Sequence, residues 1–267
     1  MTSSTMAPSS APAPGADDSA LRLDGVTRRF GGLLAVDGVS LVLPPGGRFA
    51  VIGPNGAGKT TLVAHLAGEL VPDQGRVLLG GEDVTRLPAH ARAARGLGRS
   101  FQISSIFGDL TVADNVSLAI QAHAGHSFRF WRPAEEDEAL REPALRILAE
   151  VDLADRAPQL AANLAHGEKR ALEVAMVLAS RPRLLLLDEP MAGMGPEDAQ
   201  RMVKLLASLK GRYAILLVEH DMDAVFGLAD RVSVLVYGRV LATGAAADIR
   251  RNDEVRRAYL GDEDLAS

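Results

Sequence analysis

The sequence predicts an α/β fold with a mostly parallel central sheet, and two stretches carry that prediction. The first is Gly53-Pro54-Asn55-Gly56-Ala57-Gly58-Lys59-Thr60, a complete match to the phosphate-loop pattern G-x-x-x-x-G-K-[ST]. Residues 46–52 before it read as a short buried strand and residues 60–67 after it as a helix, the strand–loop–helix setting that the pattern requires. The second is Leu184-Leu-Leu-Leu-Asp188-Glu189. Four leucines followed by two acids describe a strand buried on both faces, as in the middle of a parallel sheet, delivering carboxylates to its C-terminal edge.

The residue types in these stretches state their chemistry. Gly53, Gly56 and Gly58 are expected to take backbone angles closed to other residues, turning successive N–H groups inward to form an anion nest at the positive end of the following helix. Polyphosphate suits such a nest, with Lys59 bridging its terminal phosphates and the Thr60 hydroxyl binding Mg²⁺. The rival reading, a glycine-rich turn with an exposed lysine, explains neither the full spacing nor the Lys-Thr pair. Asp188 is expected to hold Mg²⁺ through water, and Glu189 to orient or polarise an attacking water.

Composition narrows the class. The chain has 267 residues, 47% of them hydrophobic, enough for one large domain or a domain with a subdomain. A net charge of −5 argues against a general nucleic-acid binder. Zero cysteines remove disulfides, thiolate metal sites and thiol catalysis. No apolar run approaches the ~18 residues that suggest a membrane span. Residues 1–19 are rich in Ser, Ala and Pro, lack the basic start and apolar middle of a signal peptide, and read as a disordered tail.

The remaining elements follow in order. Residues 21–27 and 39–43 look like antiparallel strands ahead of the loop, the second ending at Pro44-Pro45. Between them stands Phe30, followed by two glycines; its ring is read either as a platform for a purine base or as an ordinary half-buried phenylalanine. Residues 76–80 form a strand, residues 88–94 a short helix, and residues 97–102 a strand ending on Gln102, whose amide could reach a bound metal or water. A mostly helical stretch runs from Thr111, a capping candidate, to Leu178. Within it, Phe128, Arg129, Phe130, Trp131 and Arg132 concentrate aromatics in a chain only 4% aromatic. That cluster is either a loop packing its own rings or a docking patch. Residues 213–218 make a strand leading into Glu219-His220-Asp221, residues 231–236 another, and two short helices near residues 246–249 and 254–260 close the chain.

With these positions in order, residues 21–261 resemble the ATP-binding subunits of ABC transporters. The resemblance implies a P-loop ATPase with an N-terminal antiparallel β element and a helical subdomain at about residues 103–178, in an ATP-binding domain covering residues 20–267. It assigns Phe30 to adenine stacking, Gly53 to Thr60 with Thr61 to Walker A, Gln102 to the Q-loop and metal, Asp188 to Walker B, Glu189 to the catalytic carboxylate and His220 to the switch histidine. Within the family, the stretches around Phe30, Phe101-Gln102, Asp188-Glu-Pro-Met, Val218-Glu-His-Asp-Met and Ala258-Tyr-Leu-Gly261 look like subunits of branched-chain amino acid uptake systems. The variants His166-Gly-Glu and Ala192-Gly-Met-Gly195 lean toward importers of urea or short amides.

Two departures stand out. The family signature Leu-Ser-Gly-Gly-Gln is here Leu164-Ala165-His166-Gly167-Glu168, without the serine hydroxyl, and Gly195 occupies the D-loop position of an acid or amide. In the family these residues act on the nucleotide of the opposite subunit, so the expectation is a heterodimer with a second ATP-binding subunit. The resemblance also implies membrane permease subunits, indirectly a periplasmic solute-binding protein, ATP and Mg²⁺, and a peripheral place on the cytoplasmic face of the membrane. The rival readings are the ATPase of a lipid or lipopolysaccharide exporter and an ATP-binding regulatory subunit with little turnover. A translation or DNA-repair protein of the family would need two cassettes, coiled-coil insertions or basic arms.

Overall fold

The structure, a computed structural model, describes residues 18–100, 106–123 and 138–260. Gln102 and the aromatic cluster at 128–132 lie outside the described residues, as does most of the expected tail. Ser19 and Ala20 are already buried, and the Ala20 N–H donates to the Leu43 carbonyl at 2.9 Å.

The first described element is an antiparallel hairpin of β1 (Leu21–Phe30) and β2 (Leu33–Leu43), turning at Gly31-Gly32. Both strands are longer than the sequence suggested, because β-bulges between Leu23 and Arg29 let them follow the sheet's twist past Gly25 and Gly38. With β4 (Gln74–Leu79) and β5 (Glu82–Asp83) they make a four-stranded sheet of order β2-β1-β4-β5.

The second sheet carries the phosphate loop. Its order is β10-β9-β3-β8-β7-β6, from β3 (Arg48–Ile52), β6 (Leu97–Arg99), β7 (Leu184–Asp188), β8 (Ala214–Val218), β9 (Arg231–Val236) and β10 (Arg239–Ala245). The β9-β3, β3-β8, β8-β7 and β7-β6 pairs are parallel; β10 returns antiparallel to β9. β7 and β8 are buried at every residue, as strands covered on both faces must be. β10 alternates exposed and half-buried residues, the pattern of an edge strand open to water on one face.

Nine helices are described: α1 (Lys59–Ala67), α2 (Ala89–Ala93), α3 (Val112–His123), α4 (Glu138–Glu150), α5 (His166–Leu178), α6 (Pro196–Ser208), α7 (Met222–Leu228), α8 (Ala246–Arg250) and α9 (Asp253–Leu260). Thr111 caps α3 as expected, its Oγ1 accepting the Asp114 N–H at 3.1 Å. Alternation along the central strands divides the core. Leu184 and Leu186 with Leu216 face α1 and the antiparallel sheet, while Leu185 and Leu187 with Ile215 and Leu217 face α3 to α7.

Candidate functional site

Strand register sets the site. Val51 of β3 pairs with Val218 of β8, and Val218 pairs in turn with Asp188 of β7. The three residues stand in one row at the C-terminal edge of the sheet, so the loops that leave these strands start at one level. Those loops are the phosphate loop, Glu189 onward, and Glu219-His220.

In the phosphate loop, Gly56 and Gly58 have φ of +77° and +98°, left-handed backbone that strains any other L-residue. Gly53 departs from expectation, since its φ lies outside that region. Glycine is needed there for space, because a Cβ would sit 2.2 Å from the Leu235 carbonyl oxygen of β9. Gly58 is doubly constrained, its Cβ direction running into the Ala35 carbonyl of β2 at 2.3 Å. Ala57 is buried, Pro54 and Thr61 half-buried, and Asn55, Gly56 and Thr60 open to solvent at the start of α1.

Lys59 is only 8% exposed, and its Nζ donates to the carbonyls of Gly53 at 2.6 Å and Pro54 at 3.1 Å. The ammonium is thus held across the loop by two of the loop's own carbonyls. Burial lowers its pKa, while the charges of Glu189 and Asp188 act in the opposite direction.

Asp188 is buried. Burial raises its pKa; Arg99 opposes, Glu189 and Glu219 add to the rise, and Lys59 opposes. A carboxylate in such surroundings gains from a cation. Asp188 with the Thr60 hydroxyl suits Mg²⁺, which keeps several waters and phosphate oxygens and needs only one or two protein ligands. No cluster of three or more His, Cys, Asp or Glu in a metal-binding arrangement occurs among the described residues.

Glu189 has φ +48°, in the left-handed region for a residue with a full side chain, and its N–H is fixed by the Val218 carbonyl at 2.8 Å. This turn half-exposes the carboxylate, leaving Oε1 3.8 Å from Nδ1 of His220. Strain tied down by a neighbouring strand is the expected signature of a functional turn.

Glu219 carried no assigned role in the sequence reading. It is completely buried; Oε1 accepts the Met191 N–H at 3.0 Å and Oε2 the His220 N–H at 3.1 Å. One carboxylate therefore ties the loop after Glu189 to the backbone of His220. Its position between a strand of five apolar residues and a histidine was the available signal.

Phe30 ends β1 at the Gly31-Gly32 turn, its ring 46% exposed and stacked beneath the Arg28 guanidinium at 4.8 Å. The signature segment starts α5. Leu164 is buried, Ala165 is the N-cap residue, and Ala165 and His166 are exposed. Gly167 packs closely against α6: a Cβ there would lie 2.7 Å from Cγ of Asp198, whose side chain would have to shift. Glu168 turns back on its own helix, Oε2 accepting the Ala165 N–H at 2.9 Å and Oε1 the Arg156 Nε–H at 2.8 Å. Chiefly through the bond from the Ala165 N–H, its carboxyl is held below the usual range. Gly195 is exposed at the N-cap of α6, and a Cβ there meets nothing within 4 Å.

An apolar cleft of about 400 Å³ opens elsewhere, lined by Ala89, Ala93, Leu97, Ala119, Met176 and Val177 among others. None of Lys59, Asp188, Glu189 and His220 lines it.

Residues 36–192 match the family model described as ABC transporter, and residues 239–264 match that described as branched-chain amino acid ATP-binding cassette transporter. The chain is 40% identical over 250 residues to the high-affinity branched-chain amino acid transport ATP-binding protein BraF of Pseudomonas aeruginosa, covering 91% of this chain and 98% of that protein. It is 39% identical over 254 residues to LivG of Escherichia coli K12, which bears the same description, with the same two coverages. Among solved structures, an ATP-binding cassette of an ABC transporter in its ADP conformation superposes with a TM-score of 0.81 at 28% identity, covering 91% of this chain and 99% of that one. A nucleotide-free cassette gives 0.78 at 27%, covering 90% and 98%. A complete phosphate loop on the same sheet edge as Asp188 and Glu189, a family match across most of the fold, and relatives aligned almost end to end agree: the chain belongs to the ABC transporter ATP-binding family.

Proposed function

We propose that this chain is the ATP-hydrolysing subunit of an importer for branched-chain amino acids. The observation that carries the reading is the convergence of Lys59, Asp188, Glu189 and His220 on one sheet edge, with His220 3.8 Å from Glu189. The likeness to BraF and LivG favours this substrate class over urea or short amides, and favours uptake over lipid export.

In this reading backbone N–H groups of the loop at Gly56, Gly58 and Thr60 and the Lys59 ammonium bind the phosphates of ATP, and Phe30 stacks on the base. Mg²⁺, for which the proposed ligands are Thr60, Asp188 and Gln102, would offset the charge on the phosphates. Glu189 orients water at the terminal phosphate and receives its proton. His220 hydrogen-bonds that phosphate, and Glu219 fixes the backbone from which it does so.

Residues 20–267 make the ATP-binding domain, with a helical subdomain at about 103–178 and a tail ahead of it. No helix among the described residues is long and apolar enough to cross a membrane. The likeness to BraF and LivG supports a peripheral place on the cytoplasmic face, against permease subunits fed by a periplasmic solute-binding protein. The apolar cleft beside β6 is the surface we assign to the permease, since its lining suits a protein segment and not a polyphosphate. The second ATP-binding subunit is a different chain, because Ala165 and Gly195 bring no side-chain donor or acceptor to the opposite site.

The test is turnover in the assembled transporter. Glu189→Gln keeps ATP binding and loses most hydrolysis, whereas Lys59→Ala loses nucleotide binding. Near-parental turnover by Glu189→Gln would remove Glu189 from the catalytic role.

A further inference from the structure

We propose that Arg28 is a positioning residue for the nucleobase, occupying one face of the Phe30 ring so that only the opposite face is presented to the purine. This rests on the reading of Phe30 as the base-stacking residue. Arg28 and Phe30 both lie at the C-terminal end of β1. The Arg28 guanidinium carbon lies 4.8 Å from the ring centroid. The guanidinium is itself anchored: Nη1 donates to Oδ1 of Asp73 at 2.8 Å and to the Val71 carbonyl at 3.2 Å.

Asp73 closes the arrangement. Its other oxygen, Oδ2, accepts the Arg29 N–H at 2.8 Å, and its own N–H donates to the Thr27 carbonyl at 2.9 Å. One carboxylate thus holds both the side chain of Arg28 and the backbone between Arg28 and Phe30. An exposed aromatic beside two glycines would otherwise sample several rotamers, and a base would have to order it on binding. Arg28 makes that selection beforehand. Its charge also draws on the ring's π-electrons from behind, through the cation–π attraction.

The consequence is confined to the base, because none of these contacts reaches the phosphate loop. The experiment measures binding of ATP and of inorganic tripolyphosphate to the full chain, by calorimetry or by displacement of a fluorescent ATP analogue. Arg28→Met and Asp73→Asn are expected to weaken ATP about two- to fivefold and to leave tripolyphosphate unchanged. Phe30→Ala weakens ATP at least as much, and adding Arg28→Met to it costs nothing further, since the ring through which Arg28 acts is gone. Arg28→Lys keeps a cation for Asp73 without the flat fork and shows a loss smaller than Arg28→Met; it also carries the test should Arg28→Met fail to fold. Unchanged ATP affinity in Arg28→Met alongside a loss in Phe30→Ala overturns the role of Arg28 alone. Unchanged affinity in Phe30→Ala overturns the base-stacking reading and the proposal with it. Equal loss of ATP and tripolyphosphate in Arg28→Met reduces Arg28 to a structural residue and overturns the proposal.

Discussion

Restoring a hydroxyl at residue 165 is expected to stabilise the chain and raise its turnover, with one effect drawing on the other. Ala165 is the N-cap residue of α5, its backbone extended at φ −63°, ψ 163°, and it makes no side-chain cap bond. Half of a capping box is nonetheless present, because Glu168 already accepts the Ala165 N–H at 2.9 Å. A serine there would let its Oγ accept a first-turn N–H of α5, from Gly167 or Glu168. Since residue 165 is exposed, the hydroxyl displaces no packing. A serine cap in place of alanine is worth about 1 kcal/mol, which in a chain of this size raises the melting temperature by about 2–4 °C.

On the opposite nucleotide the same hydroxyl would make a bond to a charged phosphate, worth about 1.5–3 kcal/mol. Moving it there gives up the cap of about 1 kcal/mol, leaving a net of about 0.5–2 kcal/mol, or roughly two- to thirtyfold in turnover if the bond tightens in the transition state. Glu168 does not cancel this gain, because Arg156 and the Ala165 N–H hold its carboxylate back on the helix. The assays are a thermal melt of the chain alone, then ATP turnover of Ala165→Ser alone and of the parent with its partner ATPase. An unchanged melt would refute the description of the α5 start. Full activity of the parent as a homodimer, with no gain from Ala165→Ser or from the partner, would refute the heterodimer reasoning.

Two further outcomes follow from buried carboxylates. Asp188→Asn should raise the melting temperature at pH 7 while abolishing hydrolysis: burial raises the pKa of Asp188, so its favourable contribution is complete below the ordinary carboxylate range and lost as pH rises through the folded value. The gain over the parent should therefore shrink as pH approaches about 4, and an unchanged or lower melting temperature at pH 7 would contradict it. Glu219→Gln puts an amide NH₂ against the Met191 or His220 N–H and leaves a buried donor unpaired, at about 1–3 kcal/mol. Turnover should fall while affinity for ATP holds; parental turnover would separate Glu219 from the positioning of His220.

What the sequence determined by itself was everything with a local cause. Gly56 and Gly58 are needed wherever the chain must turn left-handed before a helix, so the phosphate loop was legible from spacing alone. Burial on both faces is written into the four leucines of β7, and the hydroxyl of Thr111 announces the start of α3 one residue ahead. The tertiary structure decided what depends on residues distant in the chain. It aligned Val51, Val218 and Asp188 in one row, and it made Gly53 necessary for space because β9 passes beside it. Asp73 came to hold Arg28 across 45 residues, and Glu168 turned toward Arg156. β10, a stretch to which the sequence reading gave no element, is a strand because β9 offers it an edge. The physical division is one of range: backbone angles and burial on both faces leave their mark on neighbouring residues, whereas a carboxylate's partner is chosen by packing.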